Sequence, residues 1–268
     1  MLPLEELLDI YIIHYTKLCN RREFLELKVP NLSSVNWITE ELAEIPSTRF
    51  SDDRKVFGLS PRLIGMDLGI NSRSLTRSRK KARFEGYQLL LASYVHGRRE
   101  DLVAAQIQNR ARLKPGILDN LKQHLHAIHK GSTSSKPFVL ILEDDAVPNE
   151  YAWNEIEKYL NSSSQNRLFA FVGSGANLTR TSSDRHVDSF GFFSTGTYCS
   201  RTAVATLYSK DVLVRAQCLV SRYGVPDWMP IDYLIQALAR RMRIKTIWQE
   251  PPWFEQGSEN GLFRSSLR

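Results

Sequence analysis

The chain has 268 residues, 42% hydrophobic and 24% charged, which is ordinary globular usage and excludes wholesale disorder or a low-complexity fibre. Its net charge of +7 favours anionic partners such as phosphorylated substrates, anionic lipid or nucleic acid. Cys19, Cys199 and Cys218 stand far apart with no CxxC spacing, and no run of about 18 apolar residues occurs, so a disulfide framework, a zinc ribbon and a helical membrane span are not expected.

The opening MLPLEELLDIYIIHY puts acids before a short apolar run and lacks a basic leading region, so it does not read as a signal peptide. A reducing, cytoplasmic setting is the expectation, and the sequons at Asn31, Asn161 and Asn177 would matter only in a secretory lumen. Asp9 to His14, DIYIIH, is β-branched and aromatic and predicts a first buried strand. The polar TKLCNRREFLEL that follows reads as a loop entering a helix, with Arg21 and Arg22 where an α/β fold receives a phosphate or nucleotide. Residues 31 to 70 carry turn signals and no firm element. Asn71 to Arg83 is strongly basic and reads as a solvated face or as a phosphate or lipid contact.

Glu100 to Lys130 predicts two helices broken at Lys114-Pro115-Gly116, the second with Leu118, Leu121, Leu125 and Ile128 on one apolar face. His124, His126 and His129 share that segment, but nothing completes a zinc site around them. Next comes FVLILEDDAVPNE. Its unbroken apolar run, Phe138 to Leu142, predicts a strand covered on both faces, as in an α/β sheet. Glu143, Asp144 and Asp145 then crowd the carboxyl end of that strand, where open α/β sheets bind ligands. Three adjacent carboxylates repel one another, so a cation is expected among them. Oxygen ligands suit Mn²⁺ or Mg²⁺ shared with substrate phosphates.

Further along, Tyr151 to Leu160 predicts a helix and Leu168 to Val172 a strand ending at Gly173. Strands are expected at Phe190 to Phe193 and Thr197 to Ser200, on either side of Gly196, and a helix at Thr202 to Tyr208. Asp232 to Arg241 predicts a helix, Ile244 to Trp248 a strand, and residues from about 249 a loop-rich tail. Asp227 reads as a helix cap, while Asp232 is a candidate for chemistry. Gln256 and Ser258 in the tail could hydrogen-bond a substrate. The expected organisation is one α/β domain over residues 1 to 268.

Four blocks resemble the glycosyltransferase family 25 proteins, the lipooligosaccharide-biosynthesis and collagen galactosyltransferase family. DIYIIHYTKLCNRREFL is similar to the opening strand and Arg-containing turn, and FVLILEDDAVP to the central acid motif. GFFSTGTYCSRTAVATLY is similar to the Thr-Gly-x-Tyr segment, and MPIDYLI with PPWFEQGSE to the Pro-x-Asp and Gln-x-Ser tail. One block departs: GILDNLKQH keeps Gly116 and His124 but has Ile117 and Asp119 where the family has an acid and a second glycine.

The resemblance implies a GT-A-like fold, a central mostly parallel sheet flanked by helices, and inverting transfer of a hexose, often galactose, from a UDP-sugar. It implies Mn²⁺ (or Mg²⁺) on Asp145 with Asp144 or Glu143 assisting. His14, Arg21, Arg22, Glu143, Asp144, Gly196, Gln256 and Ser258 are the implied nucleotide-sugar contacts, and His124 a substrate contact. Asp232 is the expected base. The implied acceptor is a glycan or lipooligosaccharide; the missing signal and the positive charge add the expectation of a cytoplasmic enzyme peripheral to the inner membrane face, and nucleic acid is not an expected partner. The departing block favours a second reading, a non-catalytic glycan-binding domain derived from a degenerate transferase.

Overall fold

A computed structural model describes residues 1–30, 35–40, 50–51, 115–162, 167–174, 184–194, 202–226 and 230–264. The basic stretch Asn71 to Arg83, the first of the two helices expected between Glu100 and Lys130, the strand at Thr197 to Ser200, and Gly196 and Asp227 lie outside them.

A short helix α1 (Leu4–Leu7) leads into β1 (Leu8–His14), followed by α2 (Cys19–Lys28), β2 (Val35–Thr39) and β3 (Phe50–Ser51). Helix α3 (Pro115–Ser132) precedes β4 (Phe138–Glu143), β5 (Ala146–Pro148) and helix α4 (Ala152–Ser162). Strands β6 (Phe169–Phe171), β7 (Arg185–His186), β8 (Phe192–Ser194) and β9 (Ala205–Ser209) come next, then helix α5 (Lys210–Tyr223) and β10 (Val225–Pro226). Helix α6 (Ile231–Met242), β11 (Ile247–Gln249) and β12 (Phe254–Gln256) complete the order.

Among the described residues eight strands form the central sheet, in the order β2-β1-β4-β9-β6-β11-β8-β7. Six of them point one way and two, β9 and β8, are reversed, so the sheet is mixed rather than purely parallel. Side chains alternate across it as the pleat requires. Tyr11, Ile13, Val139 and Ile141 join α3, α5 and α6 in one core, while Ile10, Ile12, Leu140 and Leu142 join α2 and α4 in the other. That two-sided burial explains the unbroken apolar run of β4, every residue of which is buried as far as Leu142. The described residues thus form an α/β fold with helices on both faces.

The helix expected at Thr202 to Tyr208 is instead strand β9. All five residues of β9 are buried between β4 and β6, with antiparallel pairing on both sides. An apolar run with no period cannot announce which element it forms, and here the two neighbouring strands supply the decision. The helix lies immediately after it, in Lys210–Tyr223, and ends at Gly224 with φ of 73°. Among the described residues no helix is long and apolar enough to cross a membrane.

Two small pairings place the tail. β12 pairs antiparallel with β5, setting Gln256 opposite Ala146, and Phe254 bridges Gly173. Gly173 passes so close to β9 that a Cβ there would meet the Ala205 nitrogen and Cβ at 2.9 Å. The β12–β5 pairing and the Phe254–Gly173 bridge set the segment carrying Gln256 and Ser258 beside the end of β4.

Candidate active site at the carboxyl ends of two parallel strands

β1 and β4 are parallel neighbours, so their carboxyl ends, His14 and Glu143, open on the same edge of the sheet. The chain leaving β4 turns there through Asp144 and Asp145, which are 6% and 4% exposed. Burying acids in this way is costly unless each finds partners.

Asp144 is held by three donors. Arg21 Nη1, on the first turns of α2, donates to Oδ1 at 2.5 Å, and the Tyr15 N–H donates to Oδ2 at 3.1 Å. His14 Nδ1 also lies 3.1 Å from Oδ2, and because a carboxylate accepts, that nitrogen carries the hydrogen. Arg21 is itself enclosed: its guanidinium stands 5.4 Å from the Phe263 ring and its Nη2 donates to the Arg264 carbonyl. Asp144 and Arg21 therefore form a buried pair that ties the β1–α2 turn, the acid turn and the tail together.

Asp145 faces the tail. Its Oδ2 accepts from the Ser258 hydroxyl at 2.5 Å and from Gln256 Nε2 at 3.5 Å, while its carbonyl accepts from the Gly257 N–H at 2.7 Å. Burial, followed by the charge of Glu143, pushes the Asp145 carboxyl up to about 6, against the downward pull of Ser258 and Arg21.

Glu143 connects the sheet to α3. Its Oε1 accepts from Asn120 Nδ2 at 3.0 Å and from His124 Nε2 at 3.2 Å, two residues one helical turn apart. Gln123 of the same helix donates to the His14 carbonyl at 3.1 Å. GILDNLKQH, the block that departs from the family pattern, thus supplies three site contacts.

Asp232 sits in the first turn of α6, close enough to Glu143 and His124 for both charges to act on it. Burial and Glu143 push its carboxyl up to about 6, while His124, the Ala203 N–H and its own N–H pull it down. Ala203 is delivered by the chain entering β9, whose Val204 carbonyl accepts from the Glu143 N–H at 2.8 Å. A reversed strand therefore helps to organise the carboxyl edge of its parallel neighbour.

The fold brings together His14, Arg21, Glu143, Asp144, Asp145, His124, Asp232, Gln256 and Ser258 from distant stretches of the chain. Arg22 is not among them. Its guanidinium turns outward to Glu26 at 2.8 Å and lies over the Trp37 ring at 4.8 Å. Asn120, Gln123, the Tyr15 and Ala203 N–H groups and Glu40 are additions that sequence reasoning missed. The spacing of Asn120 and His124 on one helix face is the signal that would have found the first of them.

Among the described residues no three His, Cys, Asp or Glu side chains stand together as a metal-binding set. The donor chemistry nevertheless fits a hard divalent cation that takes one or two carboxylates and completes its shell with water and phosphate oxygens. Among the described residues the bonds to the Asp145 carboxylate fall on Oδ2 and those to Glu143 on Oε1, so Asp145 Oδ1 and Glu143 Oε2 are the acceptors for it. Asp144 accepts from Arg21, His14 and the Tyr15 N–H and keeps a lone-pair direction with which to assist Asp145 as a ligand.

A scan against protein-family models gives no match, and neither does a search of curated proteins.

Proposed function

We propose that the chain is a glycosyltransferase that moves a hexose, galactose by the resemblance of its acid motif, from a UDP-sugar to a glycan or glycolipid acceptor with inversion. The observation that carries this reading is the convergence of Asp145, Glu143 and Asp232 at the carboxyl ends of parallel strands β1 and β4. Two carboxyls raised to about 6, each first by burial and then by the charge of Glu143, mark a place where an uncompensated cost is kept. A donor diphosphate with a divalent cation would remove it.

Asp145 and Glu143 would hold that cation, Mn²⁺ or Mg²⁺, with Ser258 and Gln256 orienting Asp145 from the tail. When bound, the cation stabilises negative charge on the departing diphosphate. Arg21 adds positive potential from behind Asp144. Asp232 takes the proton of the acceptor hydroxyl as its oxygen attacks the anomeric carbon and the bond to the UDP oxygen breaks. A base with a carboxyl near 6 is ionised at neutral pH yet strong enough to accept a proton.

The degenerate, non-catalytic reading rested on the departing GILDNLKQH block. That block bonds to Glu143 and to the His14 carbonyl through Asn120, His124 and Gln123, which favours the enzyme.

Calorimetric titration of UDP with and without Mn²⁺, on the natural chain and on Asp145→Ala, tests the donor site. The expected result is binding that needs both the metal and Asp145. No UDP binding under any condition would overturn the nucleotide-sugar reading.

A further inference from the structure

At the carboxyl end of β2, one strand over from the acid turn, Glu40 is held by the loop that leaves β1. The Thr16 N–H donates to Oε2 at 3.1 Å and to Oε1 at 3.3 Å, and the Thr16 hydroxyl donates to Oε1. Burial alone would raise the Glu40 carboxyl, but the Thr16 bonds, its own N–H and the charge of His14 hold it below its ordinary value. Glu40 is thus a fixed negative charge, and its neighbour His14 is the residue bonded to Asp144. The side chain is partly exposed.

A carboxylate offers about four lone-pair directions, and the Thr16 donors do not exhaust them. Its charge repels phosphate, so a nucleotide entering this edge puts its diphosphate toward the cation on Asp145 and Glu143 and something else beside Glu40. Of the remaining parts of a nucleotide, the vicinal hydroxyls of the ribose are paired donors that a carboxylate accepts. An acid one strand from the phosphate site meets the ribose in the same way in dinucleotide folds.

We propose that Glu40 binds the ribose hydroxyls of the nucleoside diphosphate and sets the preference for a ribonucleotide over a deoxyribonucleotide. This inference rests on the nucleotide-sugar reading above. The competing role is a staple that only fastens the β1–α2 turn to β2, which the Thr16 bonds alone would satisfy.

The experiment compares UDP with 2′-deoxy-UDP by calorimetry, in the presence of Mn²⁺, on the full chain and on Glu40→Ala, Glu40→Gln and Thr16→Val. The natural chain is expected to favour UDP by about tenfold or more, the scale of a hydrogen bond to a charged group. Glu40→Ala should weaken UDP to the level of the deoxy compound, and Thr16→Val, which loosens the staple but keeps the carboxylate, should retain the preference. Should Glu40→Ala fail to fold, the isosteric Glu40→Gln decides, with a smaller loss in the same direction. Equal affinity of the natural chain for both nucleotides, or an unchanged preference in the Glu40 variants, overturns the inference while leaving the donor site intact. Failure of UDP to bind the natural chain overturns both together.

Discussion

Arg21 and Arg22 are adjacent in sequence and opposite in surroundings. Helix geometry turns successive residues by about 100°, so only one of the pair can face the acid turn. Arg21 faces it and is 3% exposed, whereas Arg22 pairs with Glu26 near solvent, where an ion pair contributes little. A doublet of arginines was legible in the sequence, but which one enters the site was decided by where α2 begins. Asp144 shows the same limit: the triplet announced three candidate ligands, and only packing showed that the middle one also holds Arg21 and His14. Asp232 gives a sharp test. With its carboxyl near 6, transfer activity should fall as pH drops through about 6, because the protonated form cannot accept the acceptor's proton. Asp232→Asn should lower turnover by about a hundredfold or more, the span of general-base catalysis, with UDP affinity within about twofold of the natural chain. Near-normal turnover of that variant in a radiolabelled sugar-transfer assay would remove Asp232 from the base role.

At the scale of elements, the residues with a clear period or an unbroken apolar run were readable. The strands at Asp9 to His14 and Phe138 to Leu142 and the helices at Tyr151 to Leu160 and Asp232 to Arg241 stand within two residues of those positions, as Leu8–His14, Phe138–Glu143, Ala152–Ser162 and Ile231–Met242. Thr202 to Tyr208 was not, because TAVATLY suits either element and only β4 and β6 on its flanks make it a strand. Gly173 is the hinge of the tail's placement, and Gly173→Ala tests it. The added methyl would press on the Ala205 backbone nitrogen, which cannot move without shifting β9. The expected cost is about 1 to 3 kcal/mol in denaturant unfolding, together with weaker metal-dependent UDP binding as Ser258 moves from Asp145. A variant as stable as the natural chain would show that β9 accommodates the methyl.

Across the whole molecule, two carboxyls with raised values, the buried Asp145 and the half-buried Asp232, link the site to stability. A carboxyl near 6 when folded and 3.8 when unfolded stabilises the fold fully below about 4 and loses that contribution as pH rises to about 6. Without metal, the share of stability owed to Asp145 should therefore fall between those pH values, by up to about 3 kcal/mol. Asp145→Asn should flatten this dependence and raise the Tm at pH 7, and Mn²⁺ should raise the Tm of the natural chain but not of the variant. Equal pH profiles in thermal unfolding would refute the account. The net charge of +7 has its own test, since docking on a glycolipid-bearing surface predicts co-sedimentation with anionic liposomes that fades with salt. No sedimentation at physiological salt would sink it.

The sequence by itself determined the α/β character and the acid triplet at the end of a two-sided strand, because apolar runs and local charge are properties of neighbouring residues. Only the tertiary structure decided that β9 runs backwards beside β4, that Arg21 rather than Arg22 turns inward, that Asn120 and His124 meet Glu143 and Ser258 meets Asp145, and that Asp232 comes within reach of the Glu143 charge. Those pairings join stretches far apart along the chain, and they follow from strand register and helix phase, which no local pattern contains.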